Sequence, residues 1–161
     1  MNLIKSEVLA VAQKIEKDGI AFYKAIAPYT KDLKARAVFY RLAHDEALHL
    51  DGFSALLKVP ADDTAYDDAA LLASYVQETI RSDLFPPTTE ARRIARSDHG
   101  LLAAVDLGLQ AERQSVAFYE RMVTACTNAE GKAAFAELLA AEREHVATLE
   151  GLRRTVQNRY A

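Results

Sequence analysis

Two sets of acidic and histidine residues have the clearest chemical potential in this sequence. In the first set, Glu46 lies 30 positions after Glu16, and His49 follows Glu46 by three. The same spacing recurs 96 positions later in Glu112, Glu142 and His145. Four carboxylates and two imidazoles in such a symmetric arrangement are typical of a dinuclear metal site inside a four-helix bundle. The repeat therefore predicts a site for two metal ions.

The spacing of each Glu-x-x-His motif suits the binding of one metal ion. Residues three apart on a helix lie on nearly the same face, one turn from each other. Glu46 and His49 can therefore bind one ion, and the corresponding pair of the second set can bind another. Glu16 and Glu112 would lie opposite them as terminal or bridging carboxylates. Oxygen and imidazole ligands without thiolate suit iron or manganese, and zinc is an alternative occupant of one or both positions.

The neighbours of these glutamates predict that they are buried. A single glutamate on a helix is usually solvated, but Glu46, Glu112 and Glu142 each share a helix face with apolar residues. Around Glu46, for example, that face carries Phe39, Leu42, Ala43, Leu50 and Phe53. Burying an ionised carboxylate costs roughly several kcal/mol unless a cation compensates. No Lys or Arg shares these faces at close spacing, whereas two divalent ions would balance four carboxylates. A metal-free helical interaction protein with protonated acids is the alternative.

Three further side chains are candidates for supporting the ligands. Asp45 could reach across the bundle to orient the ring of His145, and the second set has Ala141 in its place, so the two metal positions should differ. Tyr23 and Tyr119 each follow a predicted ligand by two helical turns and could donate hydrogen bonds to carboxylates. Alternatively, Asp45 is simply solvated, and the two tyrosines are aromatic core residues without a role at the site. No catalytic residue beyond the ligands is assigned.

The other histidines, a charged run and the single cysteine are not expected to belong to the site. His44 and His99 have no partner at ligand spacing and are expected at the surface, and the charged run 92–96 is expected to be a solvated segment beside a helix. Cys126 is the single cysteine, so it cannot form an internal disulfide or a thiolate cluster. It is expected to be a small residue near a helix end, with a reactive thiol as the alternative.

Four long stretches with helical spacing must position these residues. The first covers about 3–29, and the second runs from an N-cap at Asp32 to about residue 58. The third covers about 98–127 and the fourth about 129–157. The pattern weakens over 59–97, where a shorter helix is predicted at 68–83. Glu16 and Glu46 are equidistant from residue 31, in the first predicted turn. The lone glutamate of each antiparallel hairpin therefore lies level with its Glu-x-x-His motif.

These elements predict an all-α fold in a single domain, 1–161. Its parts are a first helical hairpin (1–58), a crossover with a short helix (59–97) and a second hairpin (98–161). One long crossover between two hairpins is the arrangement of ferritin-like four-helix bundles.

The composition agrees with this fold and excludes some functions. Half of the 161 residues are apolar, and six Gly and four Pro are few enough for a helical chain. A net charge of −3 without a basic stripe argues against nucleic-acid binding. No apolar run approaches the roughly 18 residues of a membrane span, and Glu7 precedes any signal-peptide core, so a cytoplasmic protein is expected.

The chain resembles the rubrerythrin family of the ferritin-like superfamily over both hairpins. The resemblance rests on the segments Ile15-Glu16-Lys17 with Phe22-Tyr23, Leu42 to His49, Ala111-Glu112 with Phe118-Tyr119, and Leu138 to His145. It implies a non-haem di-iron centre and oxidation of the ferrous pair by hydrogen peroxide or dioxygen, which is peroxidase or ferroxidase activity. The ligands would be Glu16, Glu46, His49, Glu112, Glu142 and His145.

Two departures from the family pattern affect these expectations. Full-length rubrerythrins add a rubredoxin-like domain whose iron is held by paired Cys-x-x-Cys motifs. This sequence has a single cysteine and lacks those motifs, so electrons would come from an external donor such as a rubredoxin-like protein or a reductase. The family commonly has a further Glu where this chain has Ser115, with Gly19 as the counterpart in the first set. The resemblance then implies inefficient peroxide reduction. A non-catalytic metal-binding or iron-handling module is the alternative.

Self-association is also expected, with a homodimer favoured. The crossover carries apolar residues that could form a contact between chains: Leu71, Leu72, Tyr75, Val76, Ile80, Leu84 and Phe85.

Overall fold

The computed structural model describes residues 3–57, 66–67 and 69–159, and this part of the chain contains six α-helices. The helices are α1 (Leu3–Ile26), α2 (Leu33–Leu57), α3 (Ala69–Arg81), α4 (Thr88–Arg96), α5 (Gly100–Ala125) and α6 (Ala129–Gln157). The described residues include no β-strand, only an isolated bridge between Tyr66 and Cys126. The predicted all-α, ferritin-like bundle is confirmed.

Short turns join the two helices of each hairpin. Between α1 and α2, residues Ala27–Tyr29 form a 3-10 turn rather than the end of the predicted helix. Asp32 caps α2 as predicted, because its Oδ1 accepts a hydrogen bond of 2.8 Å from the backbone N–H of Ala35. Between α5 and α6, the side chain of Asn128 accepts a 2.8 Å bond from the N–H of Gly131. Each cap thus satisfies a backbone N–H in the first turn of its helix, which has no partner within the helix.

The crossover contains two helices where the sequence predicts one. The first, α3, agrees with the helix predicted at 68–83, whose first residue lies outside the described residues. Residue 58, the predicted end of the first hairpin, also lies outside them. The second, α4, contains the charged run 92–96 and packs against α1 and α5. Its arginines are exposed as expected, whereas Ala91 is buried. Pro86 and Pro87 directly precede α4, where a proline is tolerated because its missing N–H has no helical partner at the start of a helix.

The core consists of two apolar clusters, one on each side of the level of the glutamates. On each of the four long helices, the glutamate that the repeat singles out separates residues of one cluster from residues of the other. On α1, for example, Ile15 belongs to the first cluster and Phe22 to the second. From the crossover, Leu72 and Val76 enter the first cluster and Phe85 the second. The bundle is therefore apolar along its length except at one polar level in the middle.

Candidate metal centre

The polar level of the bundle receives one glutamate from each of its four long helices. Glu16 of α1, Glu46 of α2, Glu112 of α5 and Glu142 of α6 are all buried, and for the last three the apolar pattern predicts this burial. His145 is buried too, and the side chain of His49 is 13% exposed. The structure thus brings together all six residues that the repeat singles out.

The ring of His49 lies among three carboxylates. Its Nδ1 is 2.9 Å from Oε2 of Glu16, 3.1 Å from Oε2 of Glu46 and 3.2 Å from Oε1 of Glu142. These carboxylates come from three different helices. One ring nitrogen therefore points at the place where the three acidic groups converge.

His145 has a matching environment with somewhat longer distances. Its Nδ1 lies 3.6 Å from Oε1 of Glu46, and 3.7 Å from both Oε2 of Glu112 and Oε2 of Glu142. The two imidazole rings stack with centroids 5.4 Å apart and an angle of 24° between their planes. The two histidines, which correspond in the sequence repeat, thus have corresponding surroundings of three carboxylates each.

These residues form two overlapping groups, each of which could hold a metal ion. One group is Glu16, Glu46, His49 and Glu142, and the other is Glu46, Glu112, Glu142 and His145. In each group the potential ligand atoms lie within 4.8 Å of one another. Glu46 and Glu142 belong to both groups and would bridge two ions, while Glu16 and Glu112 would be terminal. The sequence left this choice open.

Several polar atoms at the centre of the cluster lack a hydrogen-bond partner. They are Oε2 of Glu112, both carboxylate oxygens of Glu142 and Nδ1 of His145. Buried polar atoms are normally satisfied, because leaving one unpaired costs about 1–3 kcal/mol. These atoms are carboxylate oxygens and an imidazole nitrogen, which are the ligand types that iron and manganese bind. Metal binding by the six residues stays a prediction.

The charges of the metal-free cluster are balanced by its imidazoles and by retained protons. Within the described chain, the only basic groups within 4 Å of the four glutamates are the two imidazoles. Burial and the charge of Glu142 raise the pKa of Glu46 well above its usual value. Burial also raises the pKa of Glu112 to about 7. Although burial opposes it, hydrogen bonding to the carboxylates raises the pKa of His49 to about 12. The metal-free cluster therefore retains protons at neutral pH.

Two buried tyrosines hold the terminal glutamates in a crosswise arrangement. The hydroxyl of Tyr23 on α1 donates to Oε1 of Glu112 on α5, and the hydroxyl of Tyr119 on α5 donates to Oε1 of Glu16 on α1. Burial and the neighbouring carboxylates raise both tyrosine pKa values well above normal, so both hydroxyls keep their protons. Gly108 makes room for this contact, because a Cβ there would lie 3.3 Å from the hydroxyl oxygen of Tyr23.

Asp45 links His145 to the surface of the bundle. Its Oδ2 lies 3.7 Å from Nε2 of His145 and 3.9 Å from Nε of Arg41. Arg41 in turn donates a 3.0 Å hydrogen bond to Thr148 on α6. The pairing of Asp45 with His145 follows the prediction, whereas the contribution of Arg41 was not predicted. The i, i+4 spacing of Arg41 and Asp45 was the available signal.

The two positions that depart from the family pattern are both buried on helices that carry the cluster, Gly19 on α1 and Ser115 on α5. A Cβ at Gly19 would lie only 3.1 Å from Oε1 of Glu46, so this glycine leaves room for that carboxylate. The hydroxyl of Ser115 donates a 3.2 Å bond to the carbonyl of Ala111 on its own helix. Neither position supplies a carboxylate. The steric role of Gly19 was not visible in the sequence.

The remaining reactive residues lie away from the cluster or have structural roles. His44 and His99 are exposed, as predicted, and His99 stands at the start of α5 with a φ of 60°. Cys126 is buried at the end of α5, where its thiol is 3.5 Å from the carbonyl of Asn128. Among the described helices, none has the length and apolar character needed to cross a membrane.

Fold and site together define a helical-bundle protein with a buried carboxylate–histidine cluster that could hold two metal ions. The family model described as Rubrerythrin matches residues 7–153, which include all six cluster residues. The chain belongs to the rubrerythrin family. No curated protein and no solved structure matches it at a significant level.

Proposed function

We propose that the protein is a di-iron oxidoreductase in which a ferrous pair reduces hydrogen peroxide or dioxygen with electrons from a separate donor protein. The observation that carries the proposal is the pair of overlapping four-residue groups that share Glu46 and Glu142. Two ions at a shared site would supply one electron each, which matches the two-electron reduction of a peroxide bond.

The six cluster residues would hold the metal ions in this proposal. Glu16 and His49 would complete one position, and Glu112 and His145 the other, with two shared carboxylates between them. Four carboxylates supply four negative charges, which favours the more highly charged ferric state. The apolar clusters on both sides limit the access of water to the site.

Neighbouring side chains would keep these ligands in their binding orientation. Tyr23 and Tyr119 remain protonated and each donates to one oxygen of a terminal glutamate, which leaves the other oxygen for a metal ion. Asp45 faces Nε2 of His145, so it favours the tautomer in which Nε2 carries the proton and Nδ1 is free to bind.

A second candidate function is a metal-binding or iron-handling module that does not turn over. The buried Ser115 favours this candidate, since its hydroxyl bonds to its own helix and brings no further carboxylate to the cluster. Such a module would be oxidised once and slowly, and would not consume peroxide continuously.

Rapid mixing of the anaerobic ferrous protein with hydrogen peroxide tests the proposal. We expect near-ultraviolet ferric absorption to grow in at a rate proportional to peroxide concentration, and peroxide consumption to continue when a reductant and reductase are added. A Glu150→Gln variant, which changes an acid on the outer part of α6, serves as the control and should behave as the wild type. A protein that binds iron but gives no peroxide-dependent oxidation would contradict the redox role. One oxidation without turnover would support the module instead.

A further inference from the structure

The two histidines of the cluster differ in how far they are exposed. The side chain of His49 is 13% exposed, whereas that of His145 is 5% exposed. The side chains of the four glutamates are at most 3% exposed. His49 is therefore the most exposed member of the cluster, and the surroundings of the two histidines should explain why.

Both histidines lie along the seam where α2 and α6 meet. The contacts across this seam pair residue numbers that rise on α2 with numbers that fall on α6, so the two helices run antiparallel. These contacts join Arg41 to Thr148, Asp45 to His145 and His49 to Glu142. The internal repeat exchanges α2 with α6. Each position on one half of the seam therefore has a counterpart 96 positions away on the other half.

Polar side chains close the half of the seam beside His145. Oδ2 of Asp45 lies 3.7 Å from Nε2 of His145 and 3.9 Å from Nε of Arg41. Arg41 crosses the seam and donates a 3.0 Å hydrogen bond to the hydroxyl of Thr148. These three side chains, Arg41, Asp45 and Thr148, connect α2 with α6 next to the ring of His145. We call them the polar bridge.

The half of the seam beside His49 has no such bridge at the corresponding positions. The counterparts of Arg41, Asp45 and Thr148 are Glu137, Ala141 and Gly52. Ala141 is too short to reach across the seam. Gly52 has no side chain, and no atom lies within 4 Å of a Cβ built there. This open half, namely Gly52, Glu137 and Ala141, accounts for the greater exposure of His49.

We propose that metal ions enter and leave the cluster through the open half of this seam, beside His49, and that the polar bridge closes the other half. Glu137 is exposed at the open half, where its negative charge attracts cations. The metal position at His49 is then the exchangeable one, whereas the position at His145 is enclosed. This inference rests on the metal binding of the proposed function but not on its redox chemistry.

Stopped-flow binding of cobalt(II) to the metal-free full chain tests the role of the open half, with the visible absorption of the bound ion as the readout. Gly52→Leu fills the open half without a change of charge, and leucine is a better helix former than glycine. We expect the rate constants for association, and for dissociation into EDTA, to fall by at least about fivefold at an unchanged Kd. An obstacle on the path slows both directions equally, whereas a damaged ligand set changes Kd.

Ala136→Leu is the matched control for that variant. Ala136 is exposed on α6 and lies about 140° around the helix from Ala141, so its side chain points away from the seam. The control should bind and release cobalt as the wild type does. Helical circular dichroism and Tm establish that each variant is folded.

Arg41→Ala tests the polar bridge. Its removal should open the second half of the seam and raise the association rate constant by about fivefold, and it should offset the slowing in the double variant Arg41→Ala, Gly52→Leu. Because Arg41→Ala also removes a positive charge, Arg143→Ala is its control. Arg143 is exposed beside Glu142 and pairs with Glu120, so its loss should give only the smaller electrostatic effect.

The inference has outcomes that overturn it without touching the proposed function. They are unchanged rates in Gly52→Leu, equal slowing in Ala136→Leu, and equal acceleration in Arg41→Ala and Arg143→Ala. A wild type that binds no cobalt would instead overturn the inference together with the metal centre on which the proposed function depends.

Discussion

Glu46 and Glu142 are the residues on which both candidate metal positions depend. Each belongs to both four-residue groups, whereas Glu16 and Glu112 belong to one group each. The repeat could predict the six residues because buried acids recurring at one spacing have few explanations. It could not distinguish shared from terminal carboxylates, since that depends on how far each helix is rotated about its axis. The same reason hid the steric role of Gly19 and the contact of Arg41 with Thr148.

Removing a shared carboxylate should affect metal binding more than removing a terminal one. We expect Glu142→Ala to lower the metal content from about two ions per chain to well below one, because both positions lose a ligand. Glu16→Ala should leave the position at His145 occupied and give about one ion per chain. Elemental analysis after anaerobic iron loading measures both values. Equal losses in the two variants would contradict the sharing.

Individual helices were predicted with differing success. The long helices were predicted because their apolar spacing extends over six or more turns, and α6 begins and ends where its pattern does. The nine-residue α4 was missed because Pro86 and Pro87 precede it and its charged residues hide a short apolar side. The Asp32 cap was predictable because a capping residue acts through its own backbone neighbours.

The cap of α2 gives a prediction at this scale. Asp32→Ala should destabilise the protein by about 1 kcal/mol, which lowers Tm by about 2–4 °C for a chain of this size. The hydrogen bond from Ala35 and the contact with Arg159 lower the pKa of Asp32 from its ordinary value of 3.8. Its contribution is therefore fully present above that value and is lost as the pH falls through the lower folded pKa. Thermal melts at pH 7 and near pH 2 should show the difference shrinking in acid.

Asp32→Asn is the matched control for that experiment. Its side-chain oxygen can still accept from the N–H of Ala35, and the exposed contact with Arg159 contributes little. We expect a Tm close to that of the wild type at pH 7, and a Tm at or above that of the wild type near pH 2, where the contribution of the Asp32 charge is lost. A loss as large as that of the alanine variant would show that charge, not capping, is important at this position.

In the whole molecule, one polar level interrupts an otherwise apolar bundle. The sequence predicted this level because the glutamates of each hairpin are equidistant from its turn. Which outer surfaces remain exposed was not predictable, since it depends on where the crossover packs. The apolar residues of the crossover suggested a contact between chains, but most of them pack against the bundle of their own chain. Among the described residues, three of the four exposed large apolar side chains, Leu33, Tyr40 and Leu48, lie on α2.

The cluster should make the stability of the metal-free protein dependent on pH. The folded-state pKa of Glu112 is raised from 4.5 to about 7, and that of Glu46 is raised as well. The pKa of His49 is raised from 6.5 to about 12. Each of these groups stabilises the fold below its unfolded pKa and loses that contribution as the pH rises towards its folded pKa. We therefore expect the Tm of the metal-free protein to fall between about pH 5 and pH 8.

Bound metal should reduce that dependence, because cations replace the protons that the metal-free cluster retains. Parallel thermal melts with and without iron, under anaerobic conditions, measure the difference. We expect the stabilisation by metal to grow as the pH rises. A metal-free Tm that rises between about pH 5 and pH 8 would show that the pKa values of Glu46 and Glu112 are not raised in the folded protein.

Anaerobic titration of the metal-free protein with ferrous iron, followed by elemental analysis after removal of unbound metal, tests the central claim most directly. The account predicts two tightly bound ions per chain, and near-complete loss of both when Glu46 and Glu142 are replaced together by alanine. A wild type that retains no stoichiometric metal, or a double variant that binds as much as the wild type, would contradict it.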